Sequence, residues 1–309
     1  MIFDYHGLKI NYSVFGEGRP LLLLHGWMAS IQAMAPIYQF FQKSRKVIVL
    51  DFPGQGGASD SLKEVWGVPE YAEMVHSFMQ ELQIEGADVI GHSFGGRVII
   101  YLASKYPDLF DKIVLTDSAG VKPKMTVSKF CKIYSYKFAK NVFKIFLPKE
   151  KFETKMAKLR EKRGSSDYGA LNSEVMRETF KRVINLDLTP NLKKISRPTL
   201  LMWGANDTDT PLYMAKIMEK NIKDSGLVVL ENAGHFSYLD QSVQYLKIVE
   251  NFLNYSAGSV GRCPYNKQNL LRMARREIDG RQFGGRTYAL GRMPCLYVAG
   301  SEYASHDAA

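Results

Sequence analysis

Residues 91–96 read Gly-His-Ser-Phe-Gly-Gly, and the rest of the chain is best read outward from them. Gly91, Ser93 and Gly95 stand in a G-x-S-x-G spacing. Before them, Ala87-Asp88-Val89-Ile90 reads as the end of a short buried strand; after them, Arg97 to Ala103 reads as the start of a helix. A strand that turns so sharply into a helix leaves room only for small residues two places either side of the serine. The hydroxyl then stands at the tip of the turn, where the free N–H groups of the helix favour developing negative charge. Without the flanking strand and helix, the same residues would be an ordinary glycine-rich turn.

Further strands are legible at 8–15, at Pro20-Leu21-Leu22-Leu23-Leu24, at 46–51 and at 112–117, with a helix over 69–82. After Ala119-Gly120 the strands stop, and residues 126 to about 184 show helical periodicity alone. Strand pattern resumes at Arg197-Pro198-Thr199-Leu200-Leu201-Met202-Trp203-Gly204 and at Leu227-Val228-Val229-Leu230, before a last helix over 242–255. Alternating strands and helices of these lengths predict an α/β fold with a mostly parallel, doubly covered sheet. The organisation expected is a core of residues 1–120 and 186–256, an inserted helical cap over 121–185, and an atypical Gly/Arg-rich extension over 257–309 that reads as poorly ordered.

The elbow, its flanks and the loops that follow resemble the α/β-hydrolase fold family over residues 8–255. His25-Gly26-Trp27 follows an early buried strand, where this family places half of its oxyanion hole; the resemblance implies backbone N–H donors at Trp27 and Phe94. Phe52-Pro53-Gly54-Gln55-Gly56-Gly57-Ala58-Ser59 resembles the family's turn after the next strand and reads as structural despite Asp51. Trp203-Gly204-Ala205-Asn206-Asp207 through Pro211 matches the family's acid loop, which puts Asp207 in the acid position, with Asp117 as a substitute. Asn232-Ala233-Gly234-His235 resembles the loop that delivers the histidine. The chain order Ser93, Asp207, His235 is the one expected for this fold. A serine hydroxyl is a poor nucleophile until a base takes its proton; His235 suits that task, and Asp207 would hold the imidazole tautomer.

The resemblance implies a serine hydrolase acting through an acyl-enzyme on a carboxylic ester. Carbon–carbon bond hydrolysis is an alternative, because meta-cleavage hydrolases share the helical cap and the elbow. Gly95-Gly96-Arg97 is similar to the menaquinone-pathway lyase of this fold, and a small-molecule receptor that retains the triad is a further alternative. His25 reads as a brace for its loop or, with Trp27, Arg97, Phe130, Tyr134, Phe138 and Phe236, as a pocket residue.

The formal charge of +10 does not point to nucleic acid, because residues 122–163 hold 14 Lys or Arg against three acids and the remainder is near neutral. That basic stretch reads as a solvated outer face or as a contact for an anionic membrane surface. No cofactor is implied, since neither a dinucleotide fingerprint nor a metal-ligand cluster is present in the sequence. Three cysteines without paired spacing, no signal-peptide pattern and no run of 18 apolar residues suggest a cytoplasmic enzyme with a small-molecule substrate.

Overall fold

A computed structural model describes residues 1–55, 57–123 and 173–255. These fall into two compact units: residues 1–61, 68–121 and 186–255 form one, and 62–67, 122–123 and 173–185 the other.

The first unit is built on eight strands: β1 (Ile2–Tyr5), β2 (Leu8–Phe15), β3 (Pro20–Leu24), β4 (Lys46–Leu50), β5 (Ala87–His92), β6 (Phe110–Thr116), β7 (Thr199–Gly204) and β8 (Ser225–Leu230). Their order across the sheet is β1-β2-β4-β3-β5-β6-β7-β8. The pairs β1/β2 and β2/β4 are antiparallel, and every pair from β4 to β8 is parallel. β1 is an addition to the strands read from sequence. It joins β2 through His6 and Gly7, both at positive φ, the two-residue turn whose twist suits a hairpin.

The central strands are apolar on both faces, as a sheet covered on both sides requires: Leu21–Leu24, Val47–Leu50 and Thr199–Gly204 are buried throughout. The covering helices are α1 (Ala35–Phe41), α2 (Val68–Glu81), α3 (Phe94–Lys105), the short α5 (Thr189–Leu192), α6 (Leu212–Asn221), the single-turn α7 (Ser237–Asp240) and α8 (Ser242–Asn254). One face packs Ile37, Phe41, Tyr245, Val249 and Phe252 against Val49, Ile90, Val114 and Met202 of the sheet.

The parallel arrangement matters for function, because all its strands end at one edge. His25 follows β3, Asp51 follows β4, Ser93 follows β5, Asp117 follows β6, and the loops after β7 and β8 carry Asp207 and His235.

In the second unit, α4 (Glu174–Asn185) buries Met176, Thr179 and Val183. The sequence reading kept residues 62–67 in the core. They group instead with α4, where the Trp66 N–H donates to Thr179 Oγ1 at 3.1 Å and Arg182 Nη1 donates to the Val65 carbonyl at 3.2 Å. Phe130, Tyr134 and Phe138, and the extension over 257–309, lie outside the described residues. Among the described residues no helix is long and apolar enough to cross a membrane.

Candidate active site

Ser93 sits between β5 and α3 at φ 49°, ψ −107°, a backbone conformation that side-chain-bearing residues rarely adopt. Such a conformation costs about 1–3 kcal/mol and persists only where its surroundings over-determine it. Here the Ser93 N–H donates to the Thr116 carbonyl at 3.0 Å, and the Ser93 carbonyl accepts from the Ala119 N–H at 3.0 Å. The turn also explains its glycines. A Cβ on Gly91 would lie 2.4 Å from Ile99 Cδ1, and one on Gly95 would lie 2.1 Å from the Leu24 carbonyl oxygen. Chain and helix approach too closely there for any other residue.

The structure brings Ser93, His235 and Asp207 into one hydrogen-bonded line. His235 Nε2 lies 3.0 Å from Ser93 Oγ, and His235 Nδ1 lies 2.9 Å from Asp207 Oδ2. A carboxylate only accepts, so Nδ1 carries the proton and Nε2 is left to accept from the serine hydroxyl. Asp207 is buried and well supplied with donors: Oδ1 accepts from the Asp209 and Thr210 N–H groups at 2.8 and 2.9 Å, and Oδ2 accepts from Thr210 Oγ1 at 2.6 Å. Burial pushes its carboxyl up, but the bonds from His235 and Thr210 outweigh that and hold it below the ordinary value. For His235, burial pushes the imidazole down, and Asp207 outweighs it, so its pKa stands above the usual 6.5.

A family model described as the alpha/beta hydrolase fold matches residues 19–242. The chain belongs to this family. The hydrolase is 26% identical to the monoacylglycerol lipase ABHD6 of Mus musculus over 260 residues, which is 77% of each chain. It is 23% identical to the 2-hydroxy-6-oxo-6-phenylhexa-2,4-dienoate hydrolase of Comamonas testosteroni over 265 residues, 81% of this chain and 93% of that one. Among solved structures, the enol-lactonase from Burkholderia xenovorans LB400 superimposes with a TM-score of 0.64 at 20% identity, covering 82% of this chain and all of the other.

Two backbone segments of the hydrolase flank the serine. Phe94 is the first residue of α3, so its N–H has no carbonyl a turn earlier in the helix to bond to. The Gly26-Trp27 loop lies against the elbow: a Cβ on Gly26 would be 3.5 Å from Ser93 Cβ. The Trp27 ring meets the Phe94 ring edge to face at 5.3 Å, and Phe94 in turn stacks its edge on Phe52 and Tyr71.

Two residues offered by the sequence as pocket lining are committed elsewhere. His25 is fully buried: Nδ1 donates to the Gly26 carbonyl at 2.7 Å and Nε2 accepts from the Phe52 N–H at 3.0 Å. Burial lowers its pKa to about 4, so it is a neutral brace with both nitrogens used. Arg97 is buried too, and its Nη1 donates to the Leu186 carbonyl at 2.7 Å. Its guanidinium anchors the chain where it re-enters the core. Phe236 is the opposite case: it is 44% exposed, with its ring 5.6 Å from that of His235.

The sequence did not single out His92 or Thr210. His92 is buried beside the elbow, and its Nε2 donates to the His235 carbonyl at 2.7 Å. Burial lowers its pKa to about 3, which keeps the ring neutral and the bond in one direction. Asp51, read as structural, accepts from the Ile31 and Ala58 N–H groups and from Asn11 Nδ2 at 2.7 to 3.0 Å, tying the segments at Ile31 and Ala58 to β2.

Proposed function

We propose that this hydrolase cleaves a carboxylic ester through an acyl-enzyme on Ser93, with His235 as base and acid and Asp207 as its charged partner. The observation that carries the reading is the unbroken line from Ser93 Oγ through both nitrogens of His235 to Asp207. In the first half-reaction Ser93 Oγ attacks the carbonyl carbon as its proton passes to His235 Nε2. The Phe94 and Trp27 N–H groups receive the oxyanion. Collapse of the tetrahedral intermediate expels the alcohol, which takes the proton from Nε2. In the second, water gives a proton to Nε2 as its oxygen attacks the acyl carbon, and Ser93 Oγ leaves with that proton, releasing the acid. Asp207, ionised throughout, stabilises the imidazolium in both halves.

Similarity to a monoacylglycerol lipase favours an ester bond, and similarity to a dienoate hydrolase favours carbon–carbon cleavage as the second reading. Both use the same constellation, so the substrate bond has to be tested directly. A p-nitrophenyl ester series of rising acyl length, run beside Ser93→Ala, separates them. Ester turnover that falls by about 10⁴-fold or more in Ser93→Ala is the expected result. A folded protein that leaves every ester untouched and hydrolyses a 2-hydroxy-6-oxo-dienoate overturns the ester reading and retains the serine. Unchanged ester turnover in Ser93→Ala overturns the mechanism.

A further inference from the structure

Asp117 takes no part in the mechanism above, yet it is fully buried within the same cluster of loops. It stands just past the end of β6 at φ 43°, and its own N–H donates to the Met202 carbonyl at 2.9 Å. Its two carboxyl oxygens are used on different loops. Oδ1 accepts from the Gly204 N–H at 2.8 Å, three residues before Asp207, and Oδ2 accepts from the Ser237 N–H at 3.0 Å, two residues after His235. Those two loops also touch directly: a Cβ on Gly204 would lie 2.1 Å from the Gly234 carbonyl oxygen, and the Asn206 N–H donates to the Ala233 carbonyl at 2.8 Å. The Phe236 segment is therefore gripped at both ends, by His92 on the 235 carbonyl and by Asp117 on the 237 amide.

We propose that Asp117 is a positioning residue, a carboxylate strut that sets the acid loop and the base loop in register and supports the charge on His235 from below. The inference rests on the serine-hydrolase reading of this site. The groups facing Asp117 are Asp207 from the loop after β7, His235 and the Ser237 hydroxyl from the loop after β8, Tyr238 of α7 and Tyr245 of α8. Burial among them raises the Asp117 pKa to about 7 against the pull of its hydrogen bonds, and its negative charge contributes to the raised pKa of His235. Near neutrality the strut therefore exists in two states. Ionised, it offers both amides a charged acceptor; protonated, it loses one acceptor oxygen and the support of the imidazolium.

The consequence is an acid limb of kcat/KM governed by two protonations, one on His235 and one on Asp117. Wild-type log kcat/KM on a p-nitrophenyl ester should fall with a slope steeper than one over about the first pH unit below 7, where both groups titrate, and then settle to a slope of one. Asp117→Asn, which keeps the shape and removes the charge, should lower kcat by about tenfold with KM little changed. Its acid limb should have a slope of one and move to lower pH, because His235 has lost a nearby negative charge. Circular dichroism and thermal unfolding establish that the variant is folded; if it is not, the wild-type slope still decides. A wild-type slope of one over the whole acid limb, or a folded Asp117→Asn with unaltered kcat and an unshifted limb, overturns the proposal. Labelling by a fluorophosphonate probe that is abolished in Ser93→Ala keeps the two questions apart. Its failure sinks the serine reading, while normal labelling with an unaltered Asp117→Asn profile sinks the strut alone.

Discussion

Asp88 and Asp117 are both buried acids at the margins of one sheet, Asp88 at the start of β5 and Asp117 just past the end of β6. At the starting edge, Asp88 is paired with cations: Arg45 Nη1 at 2.7 Å and Arg19 Nη2 at 3.2 Å. Arg45 also donates to the Leu253 carbonyl, and Lys112 Nζ donates to the Phe252, Leu253 and Tyr255 carbonyls, so the same charges cap the last turn of α8. At the finishing edge, Asp117 and Asp207 are held by backbone amides, a hydroxyl and an imidazole. An acid fixed by two guanidinium groups serves as a fastening. An acid held by backbone amides with no guanidinium beside it, as Asp117 is, can respond to protons near neutrality. One edge holds the chain; the other handles protons.

The sharpest way to break this division is to remove an acid at each edge. Asp207→Asn should lower kcat/KM by about 10⁴-fold while leaving the fold intact, because the imidazole loses the partner that sets its tautomer. What activity remains should have its acid limb at lower pH than wild type: Asp207 is the main charge raising the His235 pKa, and the rate requires the neutral imidazole. Asp88→Ala should do the reverse. Removing one partner of a buried ion pair costs about 3–5 kcal/mol, read as a lower urea midpoint, with kcat per folded molecule unchanged. A loss of kcat in Asp88→Ala at unchanged stability would contradict the comparison. Lys112→Met sharpens it on a smaller scale, costing about 1 kcal/mol of stability from the lost helix cap and nothing in turnover. Deleting residues 257–309 should have the smallest effect, leaving melting temperature and turnover unchanged, since α8 is already capped by Lys112 and Arg45.

The elbow, the parallel strands and the order of Ser93, Asp207 and His235 were legible because each depends on a short local pattern: glycines beside a serine, apolar runs and turn residues. What was not legible is long-range. His92 meets the His235 carbonyl across 143 positions, and Asp117 meets Ser237 across 120, and no local periodicity records either bond. Arg97 is a further case: buried on α3, it meets the Leu186 carbonyl across 89 positions. His25, read from the sequence as a brace for its loop, spends both nitrogens in that way, on the Gly26 carbonyl and the Phe52 N–H. The short β1 escaped notice because four residues at a chain end carry little pattern until β2 pairs with them.

The central claim is that Ser93 carries the acyl group, and intact-mass measurement during turnover tests it most directly. Protein quenched within the first turnovers of p-nitrophenyl acetate, or of the best ester in the series, should carry one acyl adduct that peptide mapping places on Ser93. Ser93→Ala should carry none. Ester turnover without any adduct on Ser93, or with the adduct on another residue in the wild type, would contradict the account.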